Sequence, residues 1–282
     1  MNSIIISNQK ELDKKKRAIC ADGIEKLHFL SDFDRTLTQA FIDNERIPSA
    51  ISILRNGNYL TPDYAEKAHA LFNYYYPIEI NVNISLEEKR KAMRKWWAEH
   101  FELIIKSGLN KKDLEKISKS KKIKLRKGAK KLINSLNSHN IPLIIMSSCG
   151  IGNEFISMYL KEHGILHNNI HIISNAYEWD ENGKAIAVKQ PIIHGGNKNE
   201  VVIKNFAVFE LIKNRKNVLL LGDSLGDTEM INGFDYDNLI KIGFLNENVK
   251  ENLEEYKKNY DVVILNDGSM EYVNDLLNEI NI

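Results

Sequence analysis

The stretch "FLSDFDRTLT", residues 29–38, decides how the rest of the chain is read. An apolar run, Leu27-His28-Phe29-Leu30, leads directly into Asp32 and Asp34, two carboxylates one residue apart. Such an ending has two readings. One is a strand end followed by a helix cap, because Asp is a good N-cap. The other is a strand tip whose carboxylates hold a metal and do chemistry. The pair alone leaves both open.

Other apolar runs of strand length recur at Pro142–Met146, Ile170–Ile173, Val218–Leu221, Leu239–Ile242 and Val262–Leu265. Most are unbroken rather than alternating, which fits strands buried on both faces of a mainly parallel sheet. Helical stretches lie between them: Lys127–Ser138, Asn153–His163, Lys198–Asn214, Asn248–Lys258 and Ser269–Ile280. Strand–helix alternation predicts an α/β, doubly wound core.

Residues 40–120 show a different pattern. "TPDYAEKAHALFNYY" offers Thr61 as an N-cap and Pro62 at the first helical position. "SLEEKRKAMRKWWAEHFELIIKSG" opens on a Ser85/Glu88 capping box and stops near Gly108, with Met93, Trp97, Phe101, Ile104 and Ile105 along one face. No strand is expected before Ile141. The expected division is a core of residues 1–39 and 121–282, with a helical cap domain of residues 40–120 inserted after the acidic turn. "EWDENGKAIAV", residues 178–188, predicts a small hairpin turning at Asn182-Gly183. Residues 1–25 predict a leading amphipathic helix.

The formal charge of +1, from 39 Lys+Arg against 38 Asp+Glu, argues against a nucleic-acid or membrane-surface protein. No apolar run approaches membrane-spanning length. Two cysteines, Cys20 and Cys149, make no disulfide framework and suggest a reducing compartment. The expectation is a soluble cytoplasmic protein with no nucleic-acid, membrane or obligate protein partner. The most basic segment, residues 111–131, reads as a solvated helix and loop, with a secondary role in drawing in an anionic substrate left open.

Ligands of open α/β sheets bind beyond the carboxyl ends of the strands. A site is therefore sought in the residues just past each expected strand. The first strand gives Asp32-Phe33-Asp34, the second Ser147-Ser148-Cys149-Gly150-Ile151-Gly152, and the strand at Val218–Leu221 gives Gly222-Asp223-Ser224-Leu225-Gly226-Asp227. Lys198, in "HGGNKNE", lies between the last two. Four carboxylates, hydroxyls, free backbone N–H groups and one lysine match the needs of a phosphate ester. Mg2+ prefers hard oxygen ligands, hydroxyls and amides bind phosphoryl oxygens, and a lysine offsets transition-state charge. Singly, each piece has a plain alternative: Asp223 and Asp227 as helix caps, Lys198 as a surface lysine, the Ser148–Gly152 run as a strand-to-helix turn. Phe155 stands where a dinucleotide fingerprint needs its third glycine, and where a tyrosine-phosphatase loop needs arginine, so Cys149 reads as a small packed residue. The joint occurrence favours the phosphate-ester reading.

Together Asp32-Phe33-Asp34-x-Thr36, Ser148, Lys198 and Gly222-Asp223-x-x-x-Asp227 resemble the haloacid-dehalogenase (HAD) superfamily of phosphohydrolases. From about residue 26 to the C-terminus the chain is similar to the cytosolic pyrimidine 5′-nucleotidases, notably in "DFDRTLT", "YYPIEINVNISLEEKRKAMRKWW", "SSCGIG", "NKNE", "LLLGDSLGDTEM" and "KIGFLNENVKENLEEYKKNYDVVI". The resemblance implies a Rossmann-like core with a helical cap that closes to exclude water. It implies Asp32 as nucleophile and Asp34 as general acid and base. Mg2+ would be held by the Asp32 carboxylate, the Asp34 carbonyl and the Asp223 carboxylate, with Asp227 supporting. Ser148 and Lys198 would grip the phosphoryl group, beside the Cys149-Gly150 backbone. Glu79 matches a cap glutamate that recognises the base, and His100 a cap position near it. Of Trp96 and Trp97, either could supply a stacking ring, Trp97 fitting the core stripe better. Arg35 and Cys149 depart from the family's usual apolar residue and alanine.

The implied activity is Mg2+-dependent hydrolysis of pyrimidine nucleoside 5′-monophosphates such as UMP or CMP through an aspartyl phosphate, with transfer to another nucleoside as a related outcome. The alternatives are the same chemistry on a purine, 7-methylguanosine or other small phosphate ester, and a silent nucleotide-binding protein, against which the retention of both Asp32 and Asp34 argues.

Overall fold

The computed structural model describes residues 4–81, 83–194, 197–198 and 205–280. In chain order the elements are β1 (Ile4–Ile6), α1 (Gln9–Asp22), β2 (Leu27–Ser31), β3 (Phe41–Ile42), β4 (Glu45–Arg46), α2 (Ala50–Asn56), α3 (Tyr64–Ile80), α4 (Leu86–Lys106) and α5 (Lys111–Ser118). They continue with α6 (Ala129–Ser138), β5 (Leu143–Met146), α7 (Asn153–Glu162), β6 (Ile170–Ile173), β7 (Tyr177–Trp179), β8 (Ala185–Val188), α8 (Phe209–Ile212), β9 (Asn217–Gly222), β10 (Asn238–Leu245), α9 (Val249–Asn259), β11 (Val262–Leu265) and α10 (Glu271–Glu279).

Seven strands form one sheet in the order β1-β11-β10-β9-β2-β5-β6. All neighbours are parallel except β1, which runs antiparallel against β11 at the edge. The fold is α/β of the HAD type. β2 is central because it is buried on both faces: Leu27 and Phe29 enter one apolar cluster and Leu30 the other. β9 divides likewise, with Leu219 and Leu221 on the first face and Val218 and Leu220 on the second. From β2 the chain builds β5 and β6 on one side and β9, β10 and β11 on the other. The crevice between the carboxyl ends of β2, β5 and β9 is thus the topological switch point.

Helices dominate the segment after β2. Ser85 caps α4 through the full capping box with Glu88, and Gly108 ends it at φ +85°. Three details differ from expectation. α3 begins at Tyr64 with Asp63 as N-cap, because Thr61 carries a preceding turn in which its carbonyl accepts the Tyr64 N–H (3.0 Å). α3 also runs through Pro77 to Ile80, although that proline has no N–H to donate to the preceding turn. The short β3–β4 hairpin interrupts the all-helical expectation. At the N-terminus α1 is present, preceded by the unexpected β1. The helix expected over 198–214 lies partly outside the described residues, and within 205–214 only Phe209–Ile212 is α-helical. No helix among the described residues is long and apolar enough to cross a membrane.

Candidate active site

Phe33 separates the two acids structurally as well as in sequence. Its ring is fully buried and meets Phe155 and Tyr159 edge-on, at centroid distances of 6.5 and 5.7 Å. With Phe33 anchored in the core, Asp32 and Asp34 both line the cavity above the sheet. That cavity has a volume of about 440 Å³, and Arg35, Ser49, Ala50, Ile51, Glu79, Trp97, Ser148, Cys149, Gly150, Lys198, Asp223, Ser224 and Asp227 complete its wall.

Three carboxylates converge at the tips of β2 and β9. Oxygens of Asp32, Asp223 and Asp227 lie within 4.8 Å of one another. Lys198 is buried between two of them, its Nζ donating to Asp32 Oδ1 at 2.5 Å and to Asp227 Oδ1 at 2.6 Å. The other oxygen of Asp227 accepts from the backbone N–H groups of Asp223 (3.0 Å) and Ser224 (2.9 Å) and from Ser224 Oγ (2.9 Å). Tyr256 donates to the Asp223 carbonyl (2.5 Å), and Tyr260 to that of Ser224. Asp227 therefore organises the turn that carries Asp223 and lies within the acid cluster.

The electrostatics arise from this crowding. Burial pushes the Asp32 carboxyl up to about 7, with Lys198 opposing and Asp227 and Asp34 adding to the rise. Burial, then Asp227 and Asp32, raises Asp223 well above the carboxylate range. Asp34 is raised by burial against Arg35 and Lys198. For Lys198 burial favours the neutral form, but Asp227 and Asp32 outweigh it and the ammonium is held. With all three convergent carboxylates ionised, one lysine would leave excess negative charge in a desolvated place, which is why Asp32 and Asp223 are held toward the protonated form. Hard oxygen donors with surplus charge fit a divalent cation such as Mg2+.

Packing here leaves no slack. A Cβ on Gly222 would lie 2.4 Å from the Asp227 Cβ. Gly222→Ala is expected to displace Asp227 and cut kcat/KM about 100-fold, measurable by phosphate release alongside Mg2+ affinity by calorimetry. Gly150 plays a similar part toward the helical segment: its missing Cβ makes room for the Trp97 ring, which would otherwise lie 2.7 Å away.

The remaining expected residues divide. Ser148 and Gly150 line the cavity at the tip of β5. The Cys149 amide is already donated to Ser147 Oγ (3.1 Å), and burial pushes its thiol up, so its sulfur is inert at neutral pH. Glu79 sits on the last turn of α3 rather than in a loop, solvent-accessible at the cavity wall, where surrounding protein raises its carboxyl despite Lys89. A carboxylate at a helix carboxyl end is disfavoured by the dipole, so α3 gains nothing from it there. His100 is not among the lining residues. It is buried behind Trp97, stacked on that ring at 6.1 Å, with Nε2 3.1 Å from the Tyr64 hydroxyl, and burial lowers it to about 4. Of the two tryptophans, Trp97 faces the cavity. Trp97 also packs against the main core, as the helical stripe suggests, while Trp96 packs with Tyr75 and Met93 in a separate cluster. Ser49, Ala50 and Ile51 were not foreseen, since no spacing rule links them to the acids. The lysines at 119, 121 and 124 border a different hollow with Ile42 and His163.

A parallel sheet whose central strand tip presents two acids, opposed by an acid loop and a buried lysine, defines the class: a HAD-type phosphohydrolase. The chain belongs to the pyrimidine 5′-nucleotidase (UMPH-1) family, whose model matches residues 35–281. It is 36% identical over 277 residues to 7-methylguanosine phosphate-specific 5′-nucleotidase A of Xenopus laevis, covering 98% of this chain and 95% of that one. It is 35% identical to the Homo sapiens 7-methylguanosine phosphate-specific 5′-nucleotidase over 93% of this chain and 87% of the relative. Among solved structures, cytosolic 5′-nucleotidase IIIB bound to cytidine superposes with a TM-score of 0.90 at 27% identity, covering 99% and 94% of the two chains. The protein is a 5′-nucleotidase of the HAD type.

Proposed function

We propose that the enzyme hydrolyses nucleoside 5′-monophosphates whose bases present N–H donors to Glu79, with CMP and 7-methylguanosine 5′-monophosphate as its substrates. The observation that carries the reading is the shared cavity, in which the acid cluster and Lys198 stand on the same wall system as Glu79 and Trp97. Phosphate chemistry and base recognition are thereby joined in one space of about 440 Å³, the scale of a small-molecule site. The names of the relatives support the methylated guanosine, and the family description and the cytidine complex support the pyrimidine. A cationic methylated base is further favoured by stacking on Trp97. The expectation for UMP, which lacks an exocyclic amine, is weaker turnover.

In this mechanism Asp32 attacks phosphorus in line, forming an aspartyl phosphate as the P–O5′ bond breaks. Asp34, whose carboxyl burial raises above its ordinary value, protonates O5′ of the departing nucleoside. Asp34 then takes a proton from water, the water oxygen bonds to phosphorus, and Asp32 is released as the carboxylate. Lys198 and Ser148 hold the phosphoryl oxygens. Mg2+ would be held by Asp32, Asp223 and the Asp34 carbonyl with Asp227 beside them, and when bound it supplies charge neutralisation for the phosphoryl group. Residues 40–120 act as the cap that excludes water, and the enzyme works in the cytosol, as the cytosolic relative's name suggests. A nucleoside in place of water would give phosphotransfer through the same intermediate.

The test is phosphate release across CMP, UMP, GMP, AMP and the methylated guanosine ester, with Mg2+ or EDTA. No release from any nucleoside monophosphate removes the proposal. Glu79→Gln is expected to lower kcat/KM for the two favoured substrates about 10- to 100-fold while sparing a baseless phosphate ester.

A further inference from the structure

The two places where the chain passes between the sheet and the helical segment run side by side. Thr38 bridges Leu125, the Gln39 N–H donates to the Lys124 carbonyl (2.8 Å), and the Arg126 N–H donates to that of Leu37 (2.9 Å). The Arg126 side chain is fully buried at this crossing. A guanidinium carries five N–H donors, and here all five find acceptors. Nε reaches the Thr36 carbonyl at 2.7 Å, Nη1 the Gly268 carbonyl at 2.7 Å and Asp267 Oδ1 at 3.0 Å, and Nη2 the Arg35 carbonyl and Asn246 Oδ1, the latter at 3.0 Å. The guanidinium carbon also lies 4.2 Å from the Phe244 ring centroid. Asp267 in turn accepts from the N–H groups of Ala40 (2.9 Å) and Phe41 (3.1 Å).

Two of those acceptors are the first carbonyls after Asp34. Arg35 occupies the left-handed region, at φ +60°. Few non-glycine residues do so, and the conformation persists only where its surroundings impose it. Here its N–H is held by Thr38 Oγ1 (2.8 Å), and its carbonyl by Arg126 and by Asn246 Nδ2 (3.1 Å). Arg126 does not line the cavity and touches no reacting atom.

We infer that Arg126, together with Asn246 and Asp267, is a positioning device for Asp34: it pins the left-handed turn after that acid and couples it to both crossings into the helical segment. The inference rests on the phosphohydrolase reading of the site and adds residues to it. A lysine has the charge but only three donors from one point, so it cannot serve the Arg35, Thr36 and Gly268 carbonyls together.

The test compares wild type, Arg126→Lys and Asn246→Ala for kcat, KM, melting temperature and backbone amide exchange over residues 33–41. The expected result is a kcat lowered about 100-fold in Arg126→Lys and about 10-fold in Asn246→Ala. KM should stay within about twofold, and exchange should quicken at residues 35–38. Dilute guanidinium ion should restore kcat to Arg126→Ala in a saturable way. Ile133→Val, a core change away from the turn, should lower the melting temperature and leave kcat alone. Folded Arg126→Lys and Asn246→Ala proteins that keep kcat within about threefold, with unaltered exchange at 35–38, overturn the inference. Should Arg126→Lys not fold, Asn246→Ala decides, because Asn246 is only half-buried. If wild type hydrolyses no ester, the functional reading fails, and the exchange comparison still judges the positioning role.

Discussion

Asp32→Asn is expected to abolish nucleotide hydrolysis, lowering kcat by about 10⁴-fold or more, because the proposed mechanism loses its attacking oxygen while the neighbours stay in place. The protein should remain folded. In wild type without metal, Asp32 is one of three crowded carboxylates, and its neutralisation removes repulsion. The pH dependence separates this effect from general stability. Asp32 titrates near 3.8 when unfolded and at about 7 when folded. A raised folded pKa gives a contribution fully present below the unfolded value and lost as pH rises through the folded one. The Asn variant should therefore gain on metal-free wild type between about pH 4 and 7 and hold its advantage above that. His28 and His100, both lowered by burial from 6.5 to about 4, act in the opposite direction, destabilising as pH falls. They are common to both proteins, so the difference in melting temperature isolates Asp32. A difference that shrinks as pH rises from about 4.5 to about 7.5 in EDTA would contradict the assignment of a buried, repelled carboxylate.

The second large effect is expected at Lys198. Replacing it with methionine leaves Asp32 and Asp227 buried without their shared cation. Breaking a buried ion pair from one side costs about 3–5 kcal/mol, so urea unfolding in EDTA should report a loss of that order. Mg2+ should recover part of it, because a divalent cation at the same carboxylates replaces the missing charge. Catalysis should not recover. In the proposed mechanism Lys198 also offsets charge on the transferring phosphoryl group, and losing such a donor lowers kcat about 10²–10³-fold. Metal-dependent stability without metal-dependent rescue of turnover is the signature sought. Equal stability of Lys198→Met and wild type in EDTA would show that the lysine carries no structural charge balance.

Much of this was legible in the chain itself. An unbroken apolar run marked β11 to the residue, Val262–Leu265, because a strand buried on both faces needs no polar alternation; the run at Ile170–Ile173 marked β6 as closely, although it is an edge strand of which only Ile173 is fully buried. The Ser85/Glu88 box marked the start of α4, since capping is decided within four residues. Local chemistry at strand ends likewise pointed to Asp32, Asp34, Ser148, Asp223 and Asp227, all of which the fold brings to one cavity.

Other features depend on partners distant in sequence. β1 is three residues long and exists because β11 lends it an edge. Trp97 and Trp96 are adjacent on one helix, and only the approach of Gly150 on one side and Tyr75 on the other decides which ring meets the cavity. His100 is likewise settled by Trp97 and Tyr64, which enclose it. Arg126 stands in a lysine-rich run and reads there as one more solvated cation. Its five acceptors come from residues 35, 36, 246, 267 and 268.

By itself the sequence determined the strand–helix alternation, the acidic strand tips and the family, because hydrophobic period and motif spacing act over a few residues. Tertiary structure alone decided that Asp227 shares Lys198 with Asp32, which aromatic ring faces the nucleotide space, and how the turn after Asp34 is held. Those depend on where separate segments meet, and burial at the meeting point sets both the charge balance and the geometry.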